Sequence, residues 1–147
     1  MWGGDDPDPR KPMLWSDLEY EPEVSHPRGL ERRADAVSPD MRLFRIYQEL
    51  VALRNAHLRL LVDGDLTWLA ADDANGLLAY QRALGDETAI VVFNRSEDYQ
   101  ELTVEVDDGR WEEIYVSGAQ AGRTAEVSGG SLATELAPLS AQVWIRD

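Results

Sequence analysis

The sequence contains no cysteine, which excludes a disulfide framework and thiol chemistry. Positive charge is scarce: 14 Lys and Arg stand against 28 Asp and Glu, for a formal net charge of −14. Lys11 is the only lysine. Such a balance argues against a nucleic-acid binder, which needs a basic face to displace counterions. It describes a hydrated acidic surface, or a GC-biased coding sequence, and carries no information about fold. No run of about 18 apolar residues occurs, so no membrane-spanning helix and no membrane partner are expected. Residues 1–6 lack the basic and apolar regions of a signal peptide, and a cytoplasmic protein is the expectation. At 147 residues the chain suits one domain. It is too short for the large barrel folds, which need about 250 residues.

Proline is nearly missing from the second part of the chain. Six of the seven prolines lie at or before Pro39. Proline fixes φ and donates no backbone hydrogen bond, so residues 1–39 read as loop. A loop that long is functional or disordered. Trp2, Met13, Leu14, Trp15 and Tyr20 are poor residues for disorder, and they point to a loop that packs against something. Residues 40–57 read as one helix, with Ser38 as the expected N-cap and Pro39 in the first turn. Leu43, Phe44, Ile46, Tyr47, Leu50, Val51 and Leu53 make a wide apolar stripe, which calls for a large partner surface. From about residue 65 the period changes to two. Seven or eight strands are expected, near 66–70, 77–82, 89–94, 102–106, 111–116, 125–127, 132–136 and 141–145. The run 89–94 is almost wholly apolar and reads as a central strand. Gly129 and Gly130 read as the turn of a hairpin between the sixth and seventh strands. The fold class is therefore mainly β: an antiparallel sandwich preceded by a long loop and one helix.

The candidate chemistry is thin. A serine nucleophile would need His26 or His57 as base, and no G-x-S-x-G elbow surrounds any serine. His57 reads as a helix C-terminal cation and His26 as a loop residue. Asp5, Asp6 and Asp8 resemble the start of a calcium loop but lack its later ligands, so no metal and no cofactor are expected. Asp72–Asp73 and Asp107–Asp108 read as turn residues. Glu112 and Glu113 are adjacent on a strand and point to opposite faces. The informative segment is residues 2–15. Asp6 and Arg10 suit directional bonds to hydroxyls, and Trp2 and Trp15 offer flat faces for a sugar ring. Composition alone equally allows a surface loop whose tryptophans pack on a neighbouring element.

The run Met-Trp-Gly-Gly-Asp-Asp-Pro-Asp-Pro-Arg-Lys-Pro-Met-Leu-Trp at the start of the chain resembles the segment after the last barrel strand in glycoside hydrolase family 13, the α-amylase family. It is most similar to the cyclomaltodextrinase, neopullulanase and maltogenic amylase group, with its G-G-x-D-P-x-x-R-x-P-M-x-W pattern. Tyr20-Glu21-Pro22-Glu23 resembles the continuation of that loop. The run Leu-Val-Ala-Leu-Arg-Asn-Ala-His at 50–57 is similar to the family's last barrel helix. Ile-Val-Val-Phe-Asn-Arg-Ser at 90–96 and Leu-Ser-Ala-Gln-Val-Trp at 139–144 resemble strands of its C-terminal sandwich. Ser16 and Leu58 depart from the pattern at positions where relatives often carry proline or, at the first, aspartate.

The resemblance implies a C-terminal fragment: residues 1–57 as a remnant of the (β/α)8 catalytic barrel and residues 58–147 as the amylase C-terminal β-sandwich. It implies that Asp6 and Arg10 contact a glucose unit beside the cleavage site of the intact enzyme, with Trp2 and Trp15 as further substrate contacts. The implied partner is an α-glucan or maltooligosaccharide bound through the N-terminal loop. The family's catalytic carboxylates lie on earlier strands, so no catalytic residue is expected here, and the chain alone is expected to be inactive. Met1 would then correspond to an internal methionine of a longer ancestor. Three readings follow: a truncated gene product, a fragment that complements a separate chain carrying the missing barrel portion, or a stand-alone carbohydrate-binding module. The apolar helix discriminates, because a module built to stand alone should not expose it unless it dimerises with a second copy.

Overall fold

The computed structural model describes residues 13–26 and 28–146. The chain divides into two compact units, Met1–Glu49 and Leu50–Asp147. The element order is α1 (Met41–Ala56), α2 (Leu58–Asp63), β1 (Asp65–Asp72), β2 (Leu77–Leu84), β3 (Glu87–Asn94), β4 (Gln100–Glu105), β5 (Gly109–Val116), β6 (Thr124–Val127), β7 (Ser131–Leu136) and β8 (Ser140–Arg146).

The cap of helix α1 lies two residues later than expected. Asp40, not Ser38, closes the N-terminus: its Oδ1 accepts the Leu43 N–H at 2.9 Å and its carbonyl accepts the Phe44 N–H at 2.9 Å. A carboxylate also suits the positive end of the helix dipole, which a serine would serve only as an acceptor. Pro39 therefore precedes the cap instead of occupying the first turn. No residue of α1 is buried, and Leu43, Phe44, Tyr47, Leu50 and Val51 are all exposed. His57 (φ −117°, ψ 34°) breaks the helix, and the six-residue α2 follows at once. This second helix lies in a stretch for which the apolar pattern predicts nothing. Gly64 ends it because a Cβ there would lie 2.5 Å from the Leu60 carbonyl oxygen and 3.0 Å from that of Ala83.

The strands form two layers, both antiparallel. One sheet has the order β1-β2-β3-β8-β5-β6, and the other pairs β4 with β7. Period-two patterning explains the faces: in β7, Leu132, Thr134 and Leu136 are buried while their neighbours are exposed. The main core lies between the sheets. It joins Ala79, Ile90, Val92, Trp111 and Trp144 of the large sheet to Val104, Leu132 and Leu136 of the small one. A second, smaller core lies on the outer face, where Leu60 of α2 packs with Ala89 and Ile145. Residues 89–93 of strand β3 are apolar because both faces of the strand are covered there.

The expected hairpin across Gly129–Gly130 does not form. β6 pairs with β5 in one sheet, and β7 pairs with β4 in the other. The two glycines adopt φ of 115° and 76°, and the Asp108 carboxylate accepts both of their N–H groups at 2.7 and 2.8 Å. That anchor turns the chain across the gap between the sheets instead of back along the same one.

Candidate functional site

The predicted substrate residues Trp2, Asp6 and Arg10 lie outside the described residues. Trp15 is described. Its ring is half exposed and lines an apolar hollow of about 390 Å³ with Met13, Leu14, Phe44 and Tyr47. Its backbone N–H donates to the Tyr20 hydroxyl. The chain beyond it is braced by reciprocal backbone bonds between Glu23 and Asp35 at 2.8 and 3.0 Å. Arg32 adds an ion pair to Asp35 and donates to the Ser25 carbonyl at 3.1 Å. This arrangement offers Trp15 an apolar surface for packing or stacking. Among the described residues the carboxylate at the hollow, Asp40, is engaged as the α1 cap.

Several of the carboxylates raised by the sequence have a structural task. Asp72 accepts the N–H groups of Ala74 and Asn75 at 3.0 and 3.1 Å, and the Asn75 side-chain amide at 2.7 Å. The bond from the Asn75 side chain, helped by its backbone, holds the Asp72 carboxyl below the usual carboxylate range. The Gly130 and Gly129 amides do the same for Asp108. Asp107 pairs with Arg146 at 3.1 Å. Glu112 is exposed and Glu113 is buried, as their alternation on β5 requires. Glu113 pairs with Arg123, whose Nε donates to Oε1 at 3.0 Å and whose guanidinium lies 5.2 Å from the Trp144 ring centre. Among the described residues no group of three or more His, Asp or Glu could hold a metal ion. His26 accepts the Arg28 N–H at Nδ1, at 3.1 Å.

Two features escape the sequence pattern. The first is Asn94, 2% exposed at the end of β3. Its amide donates to the carbonyls of Asp98 at 2.8 Å and Ala137 at 2.9 Å. Its oxygen accepts the N–H and hydroxyl of Ser96 at 2.9 and 2.7 Å. One side chain thus ties the β3–β4 connection to the β7–β8 connection. The second lies on the outer face of the large sheet. Trp68, Tyr80 and Phe93 line up across β1, β2 and β3 with ring centres 5.8 and 6.3 Å apart. Beside them, Arg54, Arg82, Leu61, Leu66 and Tyr80 enclose a hollow of about 200 Å³. Burial pushes the Tyr80 phenol above its ordinary range, against the opposing pull of Arg82, so it stays neutral at pH 7.

A two-layer antiparallel sandwich following two helices defines an all-β domain. Residues 68–147 match the family described as "Alpha amylase, C-terminal all-beta domain", and the chain belongs to that family as the C-terminal part of an α-amylase-family glycosidase. It is 32% identical over 127 residues to a cyclomaltodextrinase of Geobacillus thermopakistaniensis, covering 86% of this chain and 18% of that protein. It is 31% identical over 108 residues to neopullulanase 2 of Thermoactinomyces vulgaris, covering 74% of this chain and 15% of that one. The chain thus spans less than a fifth of these relatives. Among solved structures, trehalulose synthase MutB shares the fold at a TM-score of 0.61 and 20% identity, over 95% of this chain and 26% of that one. MutB in complex with isomaltulose gives 0.60 and 20%, with the same coverage.

Proposed function

We propose that the chain is the C-terminal portion of a glycosidase acting on α-glucans, maltooligosaccharides or cyclodextrins, and that it has no hydrolytic activity alone. The observation that carries this reading is the reach of the likeness to the cyclomaltodextrinase. At 127 of 147 residues it is longer than the all-β domain at 68–147 and extends back through α1. In this reading Asp6 and Arg10 bond the hydroxyls of a glucose unit, and Trp2 and Trp15 supply apolar faces beside it. Retaining hydrolysis needs two carboxyl groups held about 5 Å apart across the scissile bond. Among the described carboxylates Asp40, Asp72, Asp107, Asp108 and Glu113 are engaged in a helix cap, turns and ion pairs, and the resemblance implies catalytic carboxylates on earlier strands; both support assigning that chemistry to the part of the enzyme outside the matched segment.

The test is a chimera in which this chain replaces the matched segment of the Geobacillus cyclomaltodextrinase. Cyclodextrin hydrolysis is expected in the chimera and not in the purified 147-residue chain. Asp6→Ala or Arg10→Ala should lower kcat/KM of the chimera by about 10- to 100-fold, the worth of one or two charge-assisted hydrogen bonds. Activity in the chain alone, or unchanged kinetics in both variants, would overturn the proposal.

A further inference from the structure

The turn between β1 and β2 carries chemistry that the proposed function does not use. Asp72 and Leu77 face each other across it, and residues 73–76 form its tip. Asn75 is exposed, and Gly76 follows it at φ 68°. That conformation favours glycine, and a Cβ at Gly76 would also lie 3.1 Å from the Arg95 Cγ and the Ser96 nitrogen. The glycine has a chemical consequence as well. The peptide nitrogen after Asn75 has no side chain beside it to obstruct an approach to the Asn75 carboxamide. The sequence has two other asparagines, and both lack this setting. Asn55 lies within α1 before Ala56, and Asn94 is buried, precedes Arg95 and is bonded to Asp98, Ala137 and Ser96.

Asp72 grips the same residue. Its Oδ1 accepts the N–H groups of Ala74 and Asn75 at 3.0 and 3.1 Å, and its Oδ2 accepts the Asn75 Nδ2 at 2.7 Å. These bonds hold the Asp72 carboxyl below its ordinary range, so it is an anion at neutral and alkaline pH. The carboxamide is thereby drawn back along the chain toward Asp72. Its nitrogen makes a charge-assisted bond, which must break before that nitrogen can leave Asn75.

We propose that Asn75 is a modification site, converted without an enzyme to aspartate and isoaspartate, and that Asp72 is the brake that sets its rate. Base takes the Gly76 amide proton, and that nitrogen attacks Asn75 Cγ. The N–Cγ bond forms, the Cγ–Nδ2 bond breaks, and Nδ2 leaves as ammonia with a proton from solvent. Water then opens the cyclic imide at either carbonyl. The sum is carboxamide plus water to carboxylate plus ammonium. Either product sets a carboxylate against Asp72 where an amide donor stood. Isoaspartate also lengthens the main chain just before Gly76, whose carbonyl accepts the Arg95 N–H at 2.9 Å. Strand β1 is an edge of its sheet, hydrogen-bonded to β2 alone, so it is the element that loosens.

The experiment keeps the full 147-residue chain folded in mildly alkaline buffer at physiological temperature and samples it over weeks. Intact mass follows the conversion, and peptide mapping separates aspartate from isoaspartate. Conversion is expected at Asn75 with Asn55 and Asn94 intact, together with faster hydrogen exchange in β1 of the aged chain. Asn75→Ser should keep a single mass. Asp72→Asn leaves an oxygen for the two backbone N–H groups but removes the acceptor of the side-chain amide. It should speed conversion about five- to tenfold, the worth of one hydrogen bond at an exposed turn. Asp72→Ser, whose hydroxyl still suits the turn but is too short to reach Nδ2, should do the same, and circular dichroism checks that each variant is folded. An Asn75 that stays intact in the parent chain overturns the proposal. So does conversion that occurs only in urea, or that falls equally on Asn55 and Asn94. A rate unmoved or lowered in both Asp72 variants overturns it too.

Discussion

Replacing Asn94 by alanine should be among the most damaging single changes in the sandwich. Its side chain is 2% exposed and makes two donated bonds, to the Asp98 and Ala137 carbonyls, and two accepted ones, from the Ser96 N–H and hydroxyl. The Leu136 carbonyl, 3.3 Å from the same amide, belongs to a fully buried residue. Ser96 Oγ has an alternative acceptor in the Asp98 carbonyl at 3.1 Å, so its bond is replaceable. The other three are not. At about 1 kcal/mol for each orphaned group, Asn94→Ala should cost about 3 kcal/mol. For a unit of about 100 residues that lowers Tm by roughly 12–20 °C.

Asn94→Asp sharpens the test. It keeps both accepted bonds and sets a carboxylate against carbonyl oxygens. Burial and those dipoles raise the pKa of the introduced carboxyl in the folded state above its unfolded value of about 4. A raised folded pKa means that the variant is least impaired below the unfolded pKa. Its deficit relative to the parent then deepens as pH rises from about 4 and levels off above the folded pKa. Urea unfolding at pH 4 and pH 7 measures this, with the buried Trp111 and Trp144 as fluorescence reporters. A cost of under 1 kcal/mol for Asn94→Ala would refute the assignment, as would an Asn94→Asp deficit that does not grow with pH.

Two further perturbations separate pairing from burial. Arg123→Ala strips the partner from Glu113, whose side chain is 1% exposed, and should cost about 2–3 kcal/mol, reduced from the fully buried case because Arg123 is half exposed. Glu113→Gln removes the charge but keeps an acceptor and should cost less, so chemical denaturation showing the reverse order would sink this account. Asp108, its carboxyl held below the ordinary range by the Gly130 and Gly129 amides, contributes stability that is present above its unfolded pKa of about 4 and is lost as pH falls through its lower folded value. Asp108→Asn should flatten the acid limb of the Tm–pH curve, and an unchanged limb would exclude the role.

The eight strands were legible because each carries its own signal. Alternation marks β7, with Leu132 and Leu136 turned inward, and a continuous apolar run marks β3, covered on both faces. Helix α1 was legible from its stripe, though its cap lay at Asp40 and not Ser38. Helix α2 was not, since six residues hold fewer than two turns and show no period. The glycine pair at 129–130 signals a turn but not its direction. That direction depends on Asp108, about twenty residues earlier in the chain, which accepts both amides. Trp15 was legible as a residue meant to pack, and it lines a hollow with Phe44 and Tyr47. Its role toward a sugar depends on the intact enzyme.

Glycine and proline punctuation, the change of period near residue 65 and the family motifs are local properties, and from them the sequence by itself yielded the family, helix α1 and seven or eight strands, but not helix α2. Tertiary structure decided the rest. It inserted β8 between β3 and β5, placed β4 and β7 alone in the second layer, and buried Asn94 against carbonyls more than forty residues away. It also left α1 without a buried residue and, among the described residues, Arg54 and Arg82 without a carboxylate. The reason is one of range: a residue's backbone preference is set by its neighbours in the chain, whereas pairing, burial and charge compensation are set by groups that only folding brings near.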